Sequence, residues 1–232
     1  MQAGLDFGVL KESDTWKAFG IGVVLFCIIG FASLSLFGLT SSIYGTSDDI
    51  SEVPDWVAPS MNREGIDDLY TAEDGTIQLS SLRGHVVILD FMAIDCANCH
   101  YVQEHIDDNL AEWEDLDGEY PVIAVSIATW YQYESFAQIN TTFGDPESNR
   151  HMPWPIVNGG DDVVLLEDGE KGDITEYYSA QSIPLALVID HEGFVVAKEN
   201  TGTPLDGWKS FDNAIEAANL GEAEDQRIGI KK

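Results

Sequence analysis

Residues 85–94, HVVILDFMAI, run without a break through β-branched and aromatic residues. Such a run predicts a central strand buried on both faces, because a half-exposed strand would alternate apolar and polar residues. The residues directly after it constrain the chain further. Asp95-Cys96-Ala97-Asn98-Cys99-His100 fits two patterns at once. C-x-x-C-H is the attachment signature of a c-type haem, and C-x-x-C is a redox pair.

The pattern downstream favours the redox pair. From Ala97 to about Leu116, Val102, Ile106, Leu110 and Trp113 fall on one helical face. YPVIAVSIA (120–128) is a second buried strand, and YQYESFAQINTTF (131–143) reads as a helix. An irregular insertion and a short helix in DITEYYSAQS come next. PLALVIDHEGFVVAKEN (184–200) is a hairpin turning at His191-Glu192-Gly193, and DGWKSFDNAIEAANL closes the domain as a helix. The order predicts an α/β domain with a mixed sheet and helices on both faces. Small haem domains are mostly helical, so the haem reading fits this pattern poorly. His151 and Met152 would be its candidate distal ligands.

At the start of a helix, free N–H groups and the helix dipole favour a negative charge. A thiolate there has a lowered pKa, and thiolate is the reactive form. Cys96, at the exposed start, is the candidate nucleophile, and Cys99, one turn in, can resolve a mixed disulfide. A zinc site needs two further ligands. No second C-x-x-C is present, and His100 and His105 lie on different faces of one helix.

The rest of the chain adds context. Residues 18–47 carry no charge, and AFGIGVVLFCIIGFASLSLFGL (18–39) is long enough to cross a bilayer as a helix. A cleaved signal peptide is the alternative. Lys11 and Lys17 precede the span, whereas residues 40–69 hold Arg63 as their one basic residue. The positive-inside rule then puts residues 1–17 in the cytoplasm as a short tail. Residues 40–54 become a tether and 55–220 an extracytoplasmic domain. Residues 221–232 read as a charged, mobile tail. Cys27 lies in the span, so Cys96 and Cys99 are the cysteines of the outer domain. The net charge of −30 excludes nucleic acid as a partner, because phosphate would be repelled. An acidic surface suited to high salt is the favoured account, and a specific basic partner is the other.

From about 55 to 219 the sequence resembles the thioredoxin-like superfamily, in its membrane-anchored TlpA/ResA branch. Four features carry the resemblance: DGTIQLSSLRGHVVILDF as lead-in, CANC at the strand-to-helix junction, SIPLALVIDHEGFVV, and a long segment between residue 128 and Pro184. The resemblance implies a thiol–disulfide oxidoreductase with no cofactor. Its substrates would be disulfide or dithiol proteins, with a role in cytochrome c maturation. A membrane electron-transfer protein would be its redox donor. Cys96 would attack and Cys99 resolve. Pro184 would be a cis-proline that docks a substrate peptide together with Ile183, and Ala97 and Asn98 would line the contact. Asp90, six residues before Cys96, would be the buried acid that relays a proton to Cys99. Asp95 stands where the family usually has Trp, and Leu185 where it often has Thr. A carboxylate beside Cys96 should raise the thiol pKa.

Other classes remain in view. A peroxiredoxin-like thiol peroxidase shares the scaffold, but expects Thr or Ser shortly before its cysteine and a supporting arginine. AIDCANC has neither, and Arg150 is the arginine in the middle of the domain. A copper-delivery protein would want wider cysteine spacing, and a non-catalytic binding module would not need the cysteine pair. Trp154, between two prolines, lines a substrate groove or packs the insertion.

Overall fold

The computed structural model describes residues 50–61 and 75–230. The expected tail at 1–17, the span at 18–39 and most of the tether lie outside the described residues. Among the described residues no helix is long and apolar enough to cross a membrane.

The two long apolar runs are the centre of the fold. β3 (Val86–Met92) and β4 (Val122–Ala128) pair in parallel, and all fourteen of their residues are buried. β8 (Leu185–Ile189) adds antiparallel to β3, and β9 (Val195–Glu199) to β8. β5 (Ile156–Asn158) extends the other edge, giving the order β5-β4-β3-β8-β9. Asp190 Oδ1 fixes the hairpin turn by accepting the N–H groups of Glu192, Gly193 and Phe194.

Strand periodicity sorts the side chains into two layers. Val86, Ile88 and Met92 point to one face with Ala124 and Ala128. There they meet Cys99, Val102, Ile106, Leu110 and Trp113 of α1 (Ala97–Glu114), the face expected from sequence. Phe211, Ala214, Ile215 and Ala218 of α4 (Lys209–Asn219) complete this layer. Val87, Leu89 and Phe91 point the other way. That second face is covered mainly by β1 (Val57–Pro59) paired with β2 (Thr76–Gln78), the 3-10 turn Leu79–Leu82, and the single-turn helix α3 (Ile174–Tyr177). Trp56, Ile77 and Leu79 supply the apolar cover there. The architecture is a thioredoxin-like α/β fold.

Three local expectations change. The helix expected from 131 begins at Phe136, because Ser135 and Gln138 form a capping box; α2 (Phe136–Ile139) then passes into a π-turn over Asn140–Gly144. The insertion contains β5 and a small hairpin of β6 (Val164–Leu165) and β7 (Lys171–Gly172). The segment expected to be mobile after 220 is docked as far as it is described. Ala223 is buried, Ile228 bridges Val195, and Arg227 Nε donates to Asp190 Oδ2 at 2.7 Å. Arg227 also lies over the Phe194 ring. The buried carboxylate of Asp190 binds the tail where charge composition alone suggests solvent.

Arg227→Ala should therefore lower stability by about 2 kcal/mol, since Asp190 loses its counter-charge but keeps three N–H bonds. Urea unfolding midpoints of the two proteins measure it.

Candidate active site

β3 ends at Met92, and Cys96 is the N-cap of α1. Its backbone is extended, and its Sγ accepts the Cys99 N–H at 3.2 Å. Cys96 and Cys99 are joined by a disulfide. Cys96, expected at an exposed start, retains 7% exposure in this oxidised state, and Cys99 retains none. Cys96 is thus the less deeply buried of the two cysteines, though not the exposed residue expected from its place at the helix start. Ala97 and Asn98 are exposed beside it. The loop after β9 closes on them: Gly202 sits at φ +75°, where a Cβ would lie 2.4 Å from the Asn98 carbonyl oxygen. Ile183-Pro184 is a cis peptide, as expected. Pro184 is buried, and Ile183 is half-buried and touches both core layers.

Asp90 has the strand parity of Ile88 and Met92, so it faces the layer that holds both cysteines. It is fully buried. Its register partner on β4 is Ser126, whose hydroxyl donates to Asp90 Oδ2 at 2.9 Å. Trp154 Nε1 donates in turn to Ser126 Oγ at 2.8 Å. Trp154 is thus a buried support for this chain of bonds, and it also lines a cavity of about 290 Å³ together with His100, Gln103 and Arg150. Among the described residues, Asp90 Oδ1 has no hydrogen-bond partner. Burial raises the Asp90 pKa to about 7, and the Ser126 bond opposes the rise.

Two residues that sequence reasoning left out of the site hold the loop before Cys96. Glu134, 8% exposed, accepts the Ile94 N–H on both carboxylate oxygens at 2.9 and 3.0 Å, and the Asp95 N–H at 3.4 Å. Arg150 Nη2 donates to the Ile94 carbonyl at 2.8 Å and also meets His100 Nε2. Burial lowers the Arg150 pKa, and Asp95 and Glu134 counter that. Both backbone groups of Ile94 are therefore gripped by side chains 40 and 56 residues away. No local pattern announces such contacts. Glu134 within TWYQYESF and Arg150 in the insertion were the available signals.

This arrangement suits thiol chemistry and does not suit haem attachment. Cys99 lies fully buried on the sheet-facing side of α1, so a thioether there would require the helix to leave the sheet. His100 Nε2, the atom an iron would take, meets Arg150 and lies 3.2 Å from the Ile94 carbonyl.

The AhpC/TSA family profile matches residues 51–198, well over half of the chain. The chain belongs to the AhpC/TSA family. No curated protein matches it. Among solved structures, it is similar to the thioredoxin domain of a thiol-disulfide oxidoreductase from Bacteroides vulgatus (18% identity, TM-score 0.47, covering 71% of this chain and 96% of that one). It is also similar to the exposed lipoprotein thioredoxin Etrx1 of Streptococcus pneumoniae (21%, TM-score 0.42, 63% and 96%). A third likeness is to the reduced 2-Cys peroxiredoxin of Plasmodium vivax (16%, TM-score 0.49, 74% and 96%).

The buried acid of this AhpC/TSA protein sets a pH dependence. Its folded pKa, about 7, lies above the ordinary 3.8, so the folded state binds the extra proton between those values. Asp90's favourable contribution is complete below about pH 4 and is lost as pH rises through 7. Asp90→Asn should then gain stability on the wild type across that window, by up to about 4 kcal/mol at pH 8. Unfolding curves from pH 4 to 8 measure the difference. Ser126→Ala should push the Asp90 titration higher, read by carboxyl-carbon NMR.

Proposed function

We propose that this protein is a thiol–disulfide oxidoreductase that exchanges the Cys96–Cys99 disulfide with protein substrates. One observation carries the reading. The less buried cysteine caps the helix and accepts an N–H, while its partner lies fully buried on the face that holds a half-satisfied carboxylate.

In the reducing direction, the Cys96 thiolate attacks a substrate disulfide. A Cys96–substrate S–S bond forms, and the other substrate sulfur leaves as thiolate. The Cys99 N–H and the α1 dipole stabilise the attacking anion. Cys99 then gives its proton to Asp90, through water at the bare Oδ1, and attacks Cys96 Sγ. The second substrate thiolate leaves, and two electrons have passed from Cys96 and Cys99 to the substrate. An acid with a pKa near 7 can hold and return that proton at neutral pH. Oxidation of a dithiol substrate runs the same steps backwards. The backbone of Ile183, beside Pro184, and the exposed Ala97 and Asn98 frame the approach of the substrate chain.

The wider reading is a TlpA/ResA-type protein anchored through residues 18–39, with its domain on the extracytoplasmic face. It would draw electrons from a membrane electron-transfer protein and serve cytochrome c maturation. The uncharged span and the lysines before it support the anchor. The role in maturation rests on resemblance alone.

A thiol peroxidase is the second reading. It is favoured by Arg150, the cation such a site needs, which the fold carries to the loop before Cys96.

Cys99→Ser, incubated with a disulfide-containing protein substrate, is expected to accumulate a Cys96–substrate mixed disulfide visible by mass spectrometry. Cys96→Ser should form none. No adduct in either variant, with peroxide consumed by the wild type, would replace the first reading with the second.

A further inference from the structure

Asp95 is a residue of the site that the exchange reaction does not use. It directly precedes the nucleophile in the chain, and a negative charge close to Cys96 would disfavour the thiolate. Asp95 is exposed. Its N–H goes to Glu134, and among the described residues no hydrogen bond engages its carboxylate. Arg150 interacts electrostatically with both Asp95 and Glu134. Its guanidinium, however, is occupied by the Ile94 carbonyl and His100, and lies 4.6 Å over the Phe143 ring. Two carboxylates therefore share one guanidinium at the loop that precedes Cys96.

A cavity of about 680 Å³ opens at this point, and Ile94, Asp95, Glu134, Trp130, Tyr133 and Thr142 line it. The two aromatic residues face solvent: Trp130 is 38% and Tyr133 82% exposed. Both Glu134 oxygens are directed at the backbone of the loop, which leaves Asp95 as the open acid of the cavity. An exposed carboxylate with no hydrogen bond among the described residues, beside exposed aromatic residues, attracts one chemistry above others. A guanidinium or ammonium gains both the ion pair and the ring quadrupole, and a planar guanidinium can also stack on the rings. An acidic side chain would meet two carboxylates.

We infer that this cavity receives a lysine or, better, an arginine side chain of the substrate protein, placed next to the substrate cysteine. The inference rests on the oxidoreductase reading and names its substrate class. Asp95 then acts twice. It restrains Cys96 when no substrate is bound, and it recruits the cation whose arrival offsets that restraint. The cation takes no part in the bond changes: the Cys96–substrate S–S bond forms, and the departing sulfur carries away the electron pair.

The general charge of −30 would draw any cationic peptide, so the test holds net charge constant. Two peptides of identical composition carry a cysteine in disulfide linkage to a coloured leaving thiol. In one, arginine adjoins the cysteine; in the other it lies about eight residues away. Release of the coloured thiol by the reduced full-length chain, in detergent at physiological salt, is followed by stopped flow. The adjacent-arginine peptide should react roughly fivefold faster. Glu216→Gln, which removes an exposed acid on α4, should keep that ratio. Asp95→Asn should bring it close to one, and Trp130→Ala should reduce it. Equal rates in the wild type, or a ratio unchanged in Asp95→Asn, would overturn the inference and leave the exchange reaction standing. No reaction with either peptide would overturn the oxidoreductase reading itself, and this inference with it.

Discussion

The site depends on β3 being buried on both faces and paired on both edges. A strand in that position has no freedom of register, because a slip by one residue would turn Asp90 into the opposite layer and Phe91 against α1. With the register fixed, the strand end is fixed, and so is the N-cap of α1 three residues beyond the buried Ala93. Cys96 inherits its position from a stack of aliphatic side chains that has no chemistry of its own. The same burial strips water from Asp90 and gives it an unusual pKa. One packing constraint thus places the nucleophile and prepares the acid.

The three buried carboxylates on this frame differ in how they are satisfied. Asp190 accepts three backbone N–H groups and an arginine, and it fastens a turn and the chain's last described segment. Glu134 accepts two backbone N–H groups and fastens the loop before Cys96. Asp90 has one serine hydroxyl and one bare oxygen. A buried carboxylate with a free oxygen is costly to keep ionised, and that cost lets a proton come and go near neutrality. The fully bonded acids are structural, and the half-bonded one is suited to catalysis. Asp95 makes a fourth case, an acid left in solvent beside the nucleophile.

Much of this was legible in the sequence, and the boundary has a physical cause. β3, β4 and β8 show as runs of apolar residues because each is buried along its length, and β9 shows through its turn and its buried start at Val195 and Val196. The helix beneath them shows because Val102, Ile106, Leu110 and Trp113 repeat with its period. Cys96 and Cys99 could be placed from their spacing at a strand-to-helix junction, and Asp90 from the family resemblance. Ser126 could not, since a serine within YPVIAVSIA carries no sign of the register that sets it opposite Asp90. Glu134 and Arg150 reach a backbone far along the chain, and Trp154 acts through Ser126. Such contacts arise from the completed fold and leave no periodic trace. The docked tail was hidden for the same reason: Arg227 in a charged stretch looks solvated until Asp190 is known to be buried beside it.

The central claim is that Cys96 and Cys99 form one reversible two-electron couple. The most direct measurement equilibrates the full-length chain across a series of redox buffers, traps free thiols, and reads intact mass. The account predicts two states that differ by two trapped thiols and interconvert with a single midpoint, with no covalent addition beyond the trap. Thiols that titrate separately or fail to re-form the disulfide would contradict it, as would a mass carrying a covalently bound haem.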